Sequence, residues 1–130
     1  MPRARHYNFE ESLCKYKPNI IGFTSVTSVI NRCASLASYF KENFDCQTVV
    51  GGPHVSVLPT ETLLNHDGFD FVVDGEAELI FSSLCHKIIK GDTNYSTIPN
   101  LVWRKGDKII SNIKSNFLSN DQIDELPFPA

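Results

Sequence analysis

The sequence predicts an α/β fold, in which a parallel sheet is flanked by helices and followed by a β-hairpin. Short apolar runs alternate with amphipathic helical segments over roughly the first ninety residues, and each run ends in glycine or hydroxyl-bearing residues. Strands that alternate with helices imply crossover connections and therefore a parallel sheet. After Pro99 the alternation stops, and two strand-like runs flank Lys105-Gly106-Asp107, as is typical of a hairpin.

The first helix is predicted to begin at Asn8 and to end before Pro18. Asn8 is a capping-type residue three positions before Glu11, and proline cannot continue a helix. The first strand, from Ile20 to Thr24, is apolar on both faces, as expected inside a sheet that helices cover on both sides.

The second strand and the helices around it follow from periodicity. One helical face is marked by Val29, Cys33, Leu36, Ala37 and Phe40. Thr48-Val49-Val50 is the predicted second strand, Gly51-Gly52-Pro53-His54 the loop at its carboxyl end, and Pro59 the first turn of a short helix through Leu64.

The third strand is predicted from Phe69 to Val73, and a helix from Glu76 to Lys90 with Gly91 as its stop. The predicted order is thus α-β-α-β-α-β-α with a C-terminal hairpin, a Rossmann-like (flavodoxin-like) arrangement.

Length and composition favour one soluble domain. The chain has 130 residues and a net charge of −3, without a basic run or a stripe of Lys and Arg, so a nucleic-acid partner is not expected. No apolar stretch approaches the ~20 residues that cross a bilayer, and no signal-like segment follows Met1, so we expect no membrane partner and a cytoplasmic location.

The four cysteines show no metal-binding pattern. Cys14, Cys33, Cys46 and Cys85 include no Cys-x-x-Cys pair, so neither zinc, an iron-sulfur cluster nor a disulfide is indicated, and we expect small buried or half-buried side chains. No metal site is predicted.

Residues 1–113 are predicted to form the α/β domain and residues 114–130 a linker. From Asn112 onward the sequence becomes polar and then rich in proline, at Pro127 and Pro129.

A candidate binding site is predicted where the loops after successive strands converge at the carboxyl edge of the sheet. The loop residues concerned are Ser25, Thr27, Gly51, Gly52, His54, Val55, Gly75, Glu76 and Glu78. Taken singly, each feature has a structural alternative, because hydroxyls can cap helices and glycines can simply turn the chain.

Glu76 and Glu78 invite an acid/base interpretation, since two carboxylates can act as a pair. Positions two apart do not share a helical face, however, and acidic residues in a first turn interact favourably with the helix dipole. No catalytic residue is therefore assigned.

Three segments carry a family resemblance in order and spacing: Gly51-Gly52-Pro53-His54, Asp74-Gly75-Glu76-Ala77-Glu78 and Leu126-Pro127-Phe128-Pro129-Ala130. With them the sequence resembles the cobalamin (B12)-binding domain of B12-dependent radical SAM proteins, from about Pro18 to the end of the chain.

The resemblance implies a cobalamin over the carboxyl ends of the strands, its nucleotide tail reaching into the domain. It implies that Ser25 and Thr27 meet the tail or the corrin amides and that Gly51 and Gly52 permit close approach. It further implies that Gly75, Glu76 and Glu78 line the next loop. For His54, hydrogen bonding within the loop is favoured over ligation of cobalt.

Two departures from related domains qualify these expectations. The Asp-x-His-x-x-Gly motif that supplies a lower cobalt ligand in other cobalamin domains is absent, so a base-off cobalamin without that histidine is expected. The family usually has an additional strand before the helix predicted at Asn8.

The resemblance also implies a radical SAM domain in cis, with a [4Fe-4S] cluster, S-adenosylmethionine and methyl transfer or related radical chemistry. The chain lacks the Cys-x-x-x-Cys-x-x-Cys cluster motif and is not expected to be an enzyme alone. One alternative is a degenerate docking domain without cofactor. A receiver domain is disfavoured, because the second strand ends in Gly51-Gly52 and not in the phosphorylatable Asp that a receiver needs. A flavin-binding domain is disfavoured, because Ser25-Val26-Thr27 lacks the glycine of a phosphate-binding loop.

Overall fold

Five strands form one mixed sheet in the order in which they occur in the chain. The computed structural model describes residues 9–115 and 118–127. The strands are β1 (Ile20–Thr24), β2 (Gln47–Gly51), β3 (Phe71–Val73), β4 (Leu101–Lys105) and β5 (Lys108–Ser111). The first three are parallel, and the hairpin of β4 and β5 continues the same sheet antiparallel to β3. The predicted fold class is confirmed.

In the described part of the chain, six helices connect or flank these strands. They are α1 (Phe9–Tyr16), α2 (Ile30–Asn43), α3 (Pro53–Val57), α4 (Pro59–Asn65), α5 (Glu78–Lys90) and α6 (Asn120–Asp124). Helix α5 ends at Lys90 with Gly91 as its C-cap, as predicted. The cap predicted at Asn8 lies outside the described residues, as do the last three residues of the closing motif.

The sheet separates two apolar clusters. On one face α2, α3 and α4 cover the strands, with Ala37, Val55 and Leu63 fully buried. On the other face α5 packs through Leu84, and Trp103 lies beside Tyr95. Sequential strand order explains why α2, α3 and α4 share one face: the connections between the parallel strands have the same hand and advance in one direction across the sheet.

The structure corrects several boundaries. Pro53 and His54, predicted as loop, begin helix α3, because proline at a first helical position carries a preset φ and lacks only an N–H that needs no helical partner. Helix α5 begins at Glu78, two residues later than predicted. The predicted linker contains α6, which is closed at its start by a capping box between Ser119 and Gln122.

Within the described ranges, no helix combines the length and apolar character needed to span a membrane.

Candidate functional site

Three loops meet at the carboxyl edge of the parallel strands. The first loop (residues 25–29) follows β1, the second (Gly52, with Gly51 as the last residue of β2) joins β2 to α3, and the third (residues 74–77) joins β3 to α5. Parallel neighbours in register bring these three ends together, as the sequence predicted.

Backbone hydrogen bonds join the first loop to the second. The Ser25 N–H donates to the Gly51 carbonyl at 3.0 Å, and the His54 N–H donates to the Ser25 carbonyl at 3.2 Å. Ser25 is fully buried, and its hydroxyl donates to the Val26 carbonyl at 3.0 Å. Its side chain therefore supports the loop from beneath and is not part of the surface.

A side-chain hydrogen bond links the first loop to the start of helix α3 at the surface. His54 Nδ1 lies 3.1 Å from Thr27 Oγ1. Thr27 is exposed and His54 half-buried. Within the part of the chain that the structure describes, no partner contacts the other ring nitrogen of His54, which leaves one polar atom able to meet a ligand.

Gly52 is required by the close approach of these loops. Its φ is +103°, and a Cβ at this position would lie 2.8 Å from the Ser25 carbonyl oxygen and 3.0 Å from the Ser25 nitrogen. Both atoms are backbone, so a side chain could be accommodated only by displacing the first loop. The absent side chain of Gly52 thus serves contact within the protein.

Gly51 and Gly75 differ from Gly52 in this respect. A Cβ at either position would meet no atom within 4 Å. Both residues lie at the rim of the site, at the ends of the neighbouring strands β2 and β3. Their missing side chains leave open space in which a ligand could approach the backbone.

Ser56 connects the second and third loops, a role that sequence reasoning missed. Its hydroxyl donates to the Gly52 carbonyl at 3.2 Å and accepts the Gly75 N–H at 3.2 Å. Gly52 and Ser56 are four positions apart, which is about one turn of a helix. Their contact can therefore be predicted once a helix is recognised at Pro53.

The third loop is held from its other side by the segment that follows the hairpin. Asp74, only 8 % exposed, pairs with Lys114 at 2.6 Å between Oδ2 and Nζ. The Asp74 N–H donates to the Asn100 carbonyl at 2.9 Å. None of these contacts has a local signature in the sequence.

The two candidate glutamates of the third loop region lie differently from the prediction. Glu76 is exposed, and its Oε2 accepts the Leu118 N–H at 2.9 Å. Glu78 is exposed as the first residue of α5, which begins there and not at Glu76. Glu76 therefore ties the C-terminal segment to the third loop. A cleft of about 570 Å³ lies between that loop and the segment around Lys114.

Val55 does not belong to the site surface. Its exposure is 0 %, and it packs in the core with Val50 and Leu63. In helix α3 the side chain of Val55 faces the sheet while its neighbour His54 faces the loops. The side chain of Val55 is thus closed off from the site surface, and the cofactor contact predicted at this position could involve only its backbone.

The cysteines and acidic residues form no metal cluster in residues 9–115 and 118–127. Cys14 is exposed, contrary to expectation, and the other three cysteines are half-buried. Burial raises the pKa of the Cys46 thiol, and the negative charges of Asp70 and Asp45 add to this rise. Burial also raises the pKa of the Cys85 thiol. None of these thiols lies in the three loops.

Sequence comparison places a known domain over this region. The B12 binding domain family model matches residues 2–85. An uncharacterized methyltransferase of Pyrococcus horikoshii is 32% identical over 117 residues, which cover 89% of this chain and 25% of the relative. The cobalamin-dependent radical SAM methyltransferase TokK of Streptomyces tokunonensis is 24% identical over 103 residues, covering 78% of this chain and 15% of TokK.

Solved structures share the fold. The radical S-adenosylmethionine methyltransferase TsrM from Kitasatospora setae, with cobalamin and [4Fe-4S] cluster bound, matches with a TM-score of 0.70 at 18% identity, covering 89% of this chain and 23% of TsrM. The cobalamin-dependent S-adenosylmethionine radical enzyme OxsB, with aqua-cobalamin and S-adenosylmethionine bound, gives 0.66 at 16% identity, covering 84% and 16%. The chain spans a quarter or less of the length of these relatives.

Proposed function

The chain belongs to the B12-binding domain family, and we propose that its three loops hold a cobalamin in the base-off state for a radical SAM domain in the same polypeptide. The observation that carries this proposal is the open space beside Gly51 and Gly75, at the ends of two neighbouring strands. A large ligand with many amide groups needs backbone that it can approach and nearby polar atoms that fix its orientation.

The residues present fit such a ligand. Gly51 and Gly75 provide the approach, Thr27 provides a hydroxyl on the first loop, and His54 provides an imidazole at the start of α3. We assign Ser25 and Gly52 to positioning, because the first is buried and the second is packed against it.

The far side of the site carries acidic groups. We place Glu76 and Glu78 at this border, where exposed carboxylates can accept hydrogen bonds from amide N–H groups. Glu76 already accepts one from the Leu118 N–H, which leaves its other acceptor sites for a ligand.

The base-off state is proposed from the chemistry of the chain. The motif that supplies a histidine beneath cobalt in other cobalamin domains is absent, and His54 is already hydrogen-bonded to Thr27. We therefore assign His54 to positioning and amide recognition, and no residue of this chain to the metal.

The activity belongs to the longer protein. When bound, cobalamin would supply a carrier for a methyl group, and a radical SAM domain with its [4Fe-4S] cluster would supply reductive cleavage of S-adenosylmethionine. The similarity to TokK supports this assignment. The residues of this chain bind and orient the corrin, and none is assigned a catalytic role.

Titration of the purified protein with hydroxocobalamin tests the proposal. We expect colour to stay with the protein on a desalting column, with a base-off visible spectrum. Gly51→Val should abolish retention, because its side chain would fill the open space at the rim. Ser111→Val is the matched control, since it places the same side chain at an exposed position of β5, three strands away from β2.

Each result has a distinct meaning. Retention by the wild type and by Ser111→Val, with loss in Gly51→Val of unchanged circular dichroism, supports the site. A retained base-on spectrum contradicts the base-off assignment alone. No retention by the wild type contradicts cofactor binding by this chain and favours a docking domain of the same family.

A further inference from the structure

We propose that Lys114 is a positioning residue for the corrinoid site, acting through the buried carboxylate of Asp74 to hold the third loop in place. This inference rests on the function proposed above. Lys114 lies well beyond the residues matched by the B12-binding family model, which ends at residue 85, and its ammonium pairs with Asp74 of the third loop.

The first step concerns the environment of Asp74. Its side chain is only 10% exposed, whereas that of Lys114 is 67% exposed. In the described residues, Lys114 is the one cation paired with this carboxylate. A charge removed from water needs a partner, so loss of the ammonium would leave Asp74 buried and unpaired.

The second step concerns what Asp74 controls. It immediately precedes Gly75, whose φ is +88° and whose N–H donates to Ser56 Oγ at 3.2 Å. The Asp74 N–H donates to the Asn100 carbonyl at 2.9 Å. An unpaired Asp74 would turn toward water, and this movement would weaken both of these hydrogen bonds.

The third step concerns the anchoring of Lys114 itself. The segment that carries it is tied to Asn100, whose N–H donates to the Ile113 carbonyl at 3.2 Å and whose Oδ1 accepts the Ser115 N–H at 2.7 Å. Asn100 thus bonds both the third loop and the two neighbours of Lys114. The backbone on both sides of Lys114 is therefore held by hydrogen bonds, and it positions the ammonium next to Asp74.

Hydrogen exchange of individual amides tests the positioning role without any ligand. In Lys114→Met we expect the Asp74 and Gly75 amides to exchange about fivefold faster or more, a change that corresponds to loss of a modest stabilising contact. The Ser25 and His54 amides should be unaffected. Lys108→Met is the matched control, since Lys108 is an exposed lysine of β5 remote from the loops.

Charge, and not merely contact, is tested by two further variants. Lys114→Arg should restore slow exchange. Asp74→Asn combined with Lys114→Met should also restore it in part, because a neutral amide at position 74 does not need a cation. Exchange in Lys114→Met equal to that of the wild type would overturn the proposal.

Hydroxocobalamin titration of the same variants completes the test. We expect Lys114→Met to raise the Kd about fivefold or more, with recovery in Lys114→Arg. Faster exchange together with an unchanged Kd would overturn the link between Lys114 and corrinoid binding. If the wild type binds no hydroxocobalamin while exchange changes as expected, the proposed function fails and the control of the third loop by Lys114 stands.

Discussion

Gly51 and Gly52 are neighbours in the chain, but the structure gives them different tasks. A Cβ on Gly52 would lie 2.8 Å from the Ser25 carbonyl oxygen, so the absence of a side chain lets the first loop approach closely. The absence of a side chain on Gly51 instead leaves empty space. A sequence motif records two glycines without distinguishing them. Only the direction in which each absent Cβ would point distinguishes the glycine needed for folding from the glycine that leaves room for a ligand.

We predict that Gly52→Ala destabilises the fold by about 2–4 kcal/mol, because a positive φ and a clash with backbone add together. Gly51→Ala should change stability by no more than about 0.5 kcal/mol, since neither cost applies. Urea denaturation followed by circular dichroism measures both. Equal losses in the two variants would show that the loops relax around Gly52.

The thiols provide a second residue-level prediction. Because burial raises the pKa of Cys46 and of Cys85, these two residues hold less of the reactive thiolate at neutral pH. We expect iodoacetamide to modify exposed Cys14 first and the other two later, with their rates still rising as the pH increases above 9. Peptide mass spectrometry over a pH series measures the order. Modification of Cys46 as fast as Cys14 at pH 7 would contradict the buried placement.

At the scale of elements, the turn between α4 and β3 is packed directly on α2. A Cβ on Gly68 would lie 2.5 Å from the Ala34 carbonyl oxygen and 2.9 Å from the Ser38 nitrogen. Both atoms belong to the backbone of a long helix, which cannot move locally. The turn and the helix therefore fit together only through glycine.

We predict that Gly68→Ala lowers the free energy of unfolding by about 1–3 kcal/mol through overpacking. Asp67→Ala is the control in the same turn, because its side chain is 98% exposed and its contact with Arg104 is a surface ion pair worth little. Denaturant titration compares the two. A larger loss in Asp67→Ala would refute the steric explanation.

Elements long enough to show a period can be predicted from the sequence, whereas very short helices and contacts at long range cannot. Strand β1 and helix α5 were recognised from apolar patterns that span several residues. Helix α3 was missed because five residues make barely one turn and show no period. The contacts of Ser56 and Lys114 cannot be predicted from local sequence, because their partners lie 19 and 40 positions away. The burial of the Val55 side chain is likewise not predictable, because nearness to a motif in sequence does not fix the direction of a side chain.

For the whole molecule, the sequential strand order explains why the site can be formed before any ligand arrives. It places the ends of β1, β2 and β3 side by side, so that each loop can bond its neighbour. Gly51, Ser56 and Asn100 each take part in such bonds, and these bonds extend across all three loops to the segment after the hairpin. A preformed site avoids the entropic cost of ordering its loops on binding.

This preformed site leads to a prediction about the stability of the entire fold. A ligand that binds only the folded protein at about a hundredfold excess over its Kd adds about 2.7 kcal/mol. For a chain of 130 residues, each kcal/mol raises the Tm by roughly 3–5 °C, so saturating hydroxocobalamin should raise it by about 8–14 °C. Thermal unfolding by far-ultraviolet circular dichroism measures the shift.

Cobinamide, which lacks the nucleotide tail, separates the contributions of corrin and tail to that shift. If the tail of a base-off cobalamin contacts the domain, cobinamide at the same concentration should raise the Tm less, because it forgoes those contacts. Gly51→Val should show neither shift, while Ser111→Val should match the wild type. An unchanged Tm of the wild type at all hydroxocobalamin concentrations would contradict binding, and equal shifts with both corrinoids would confine the contacts to the corrin ring.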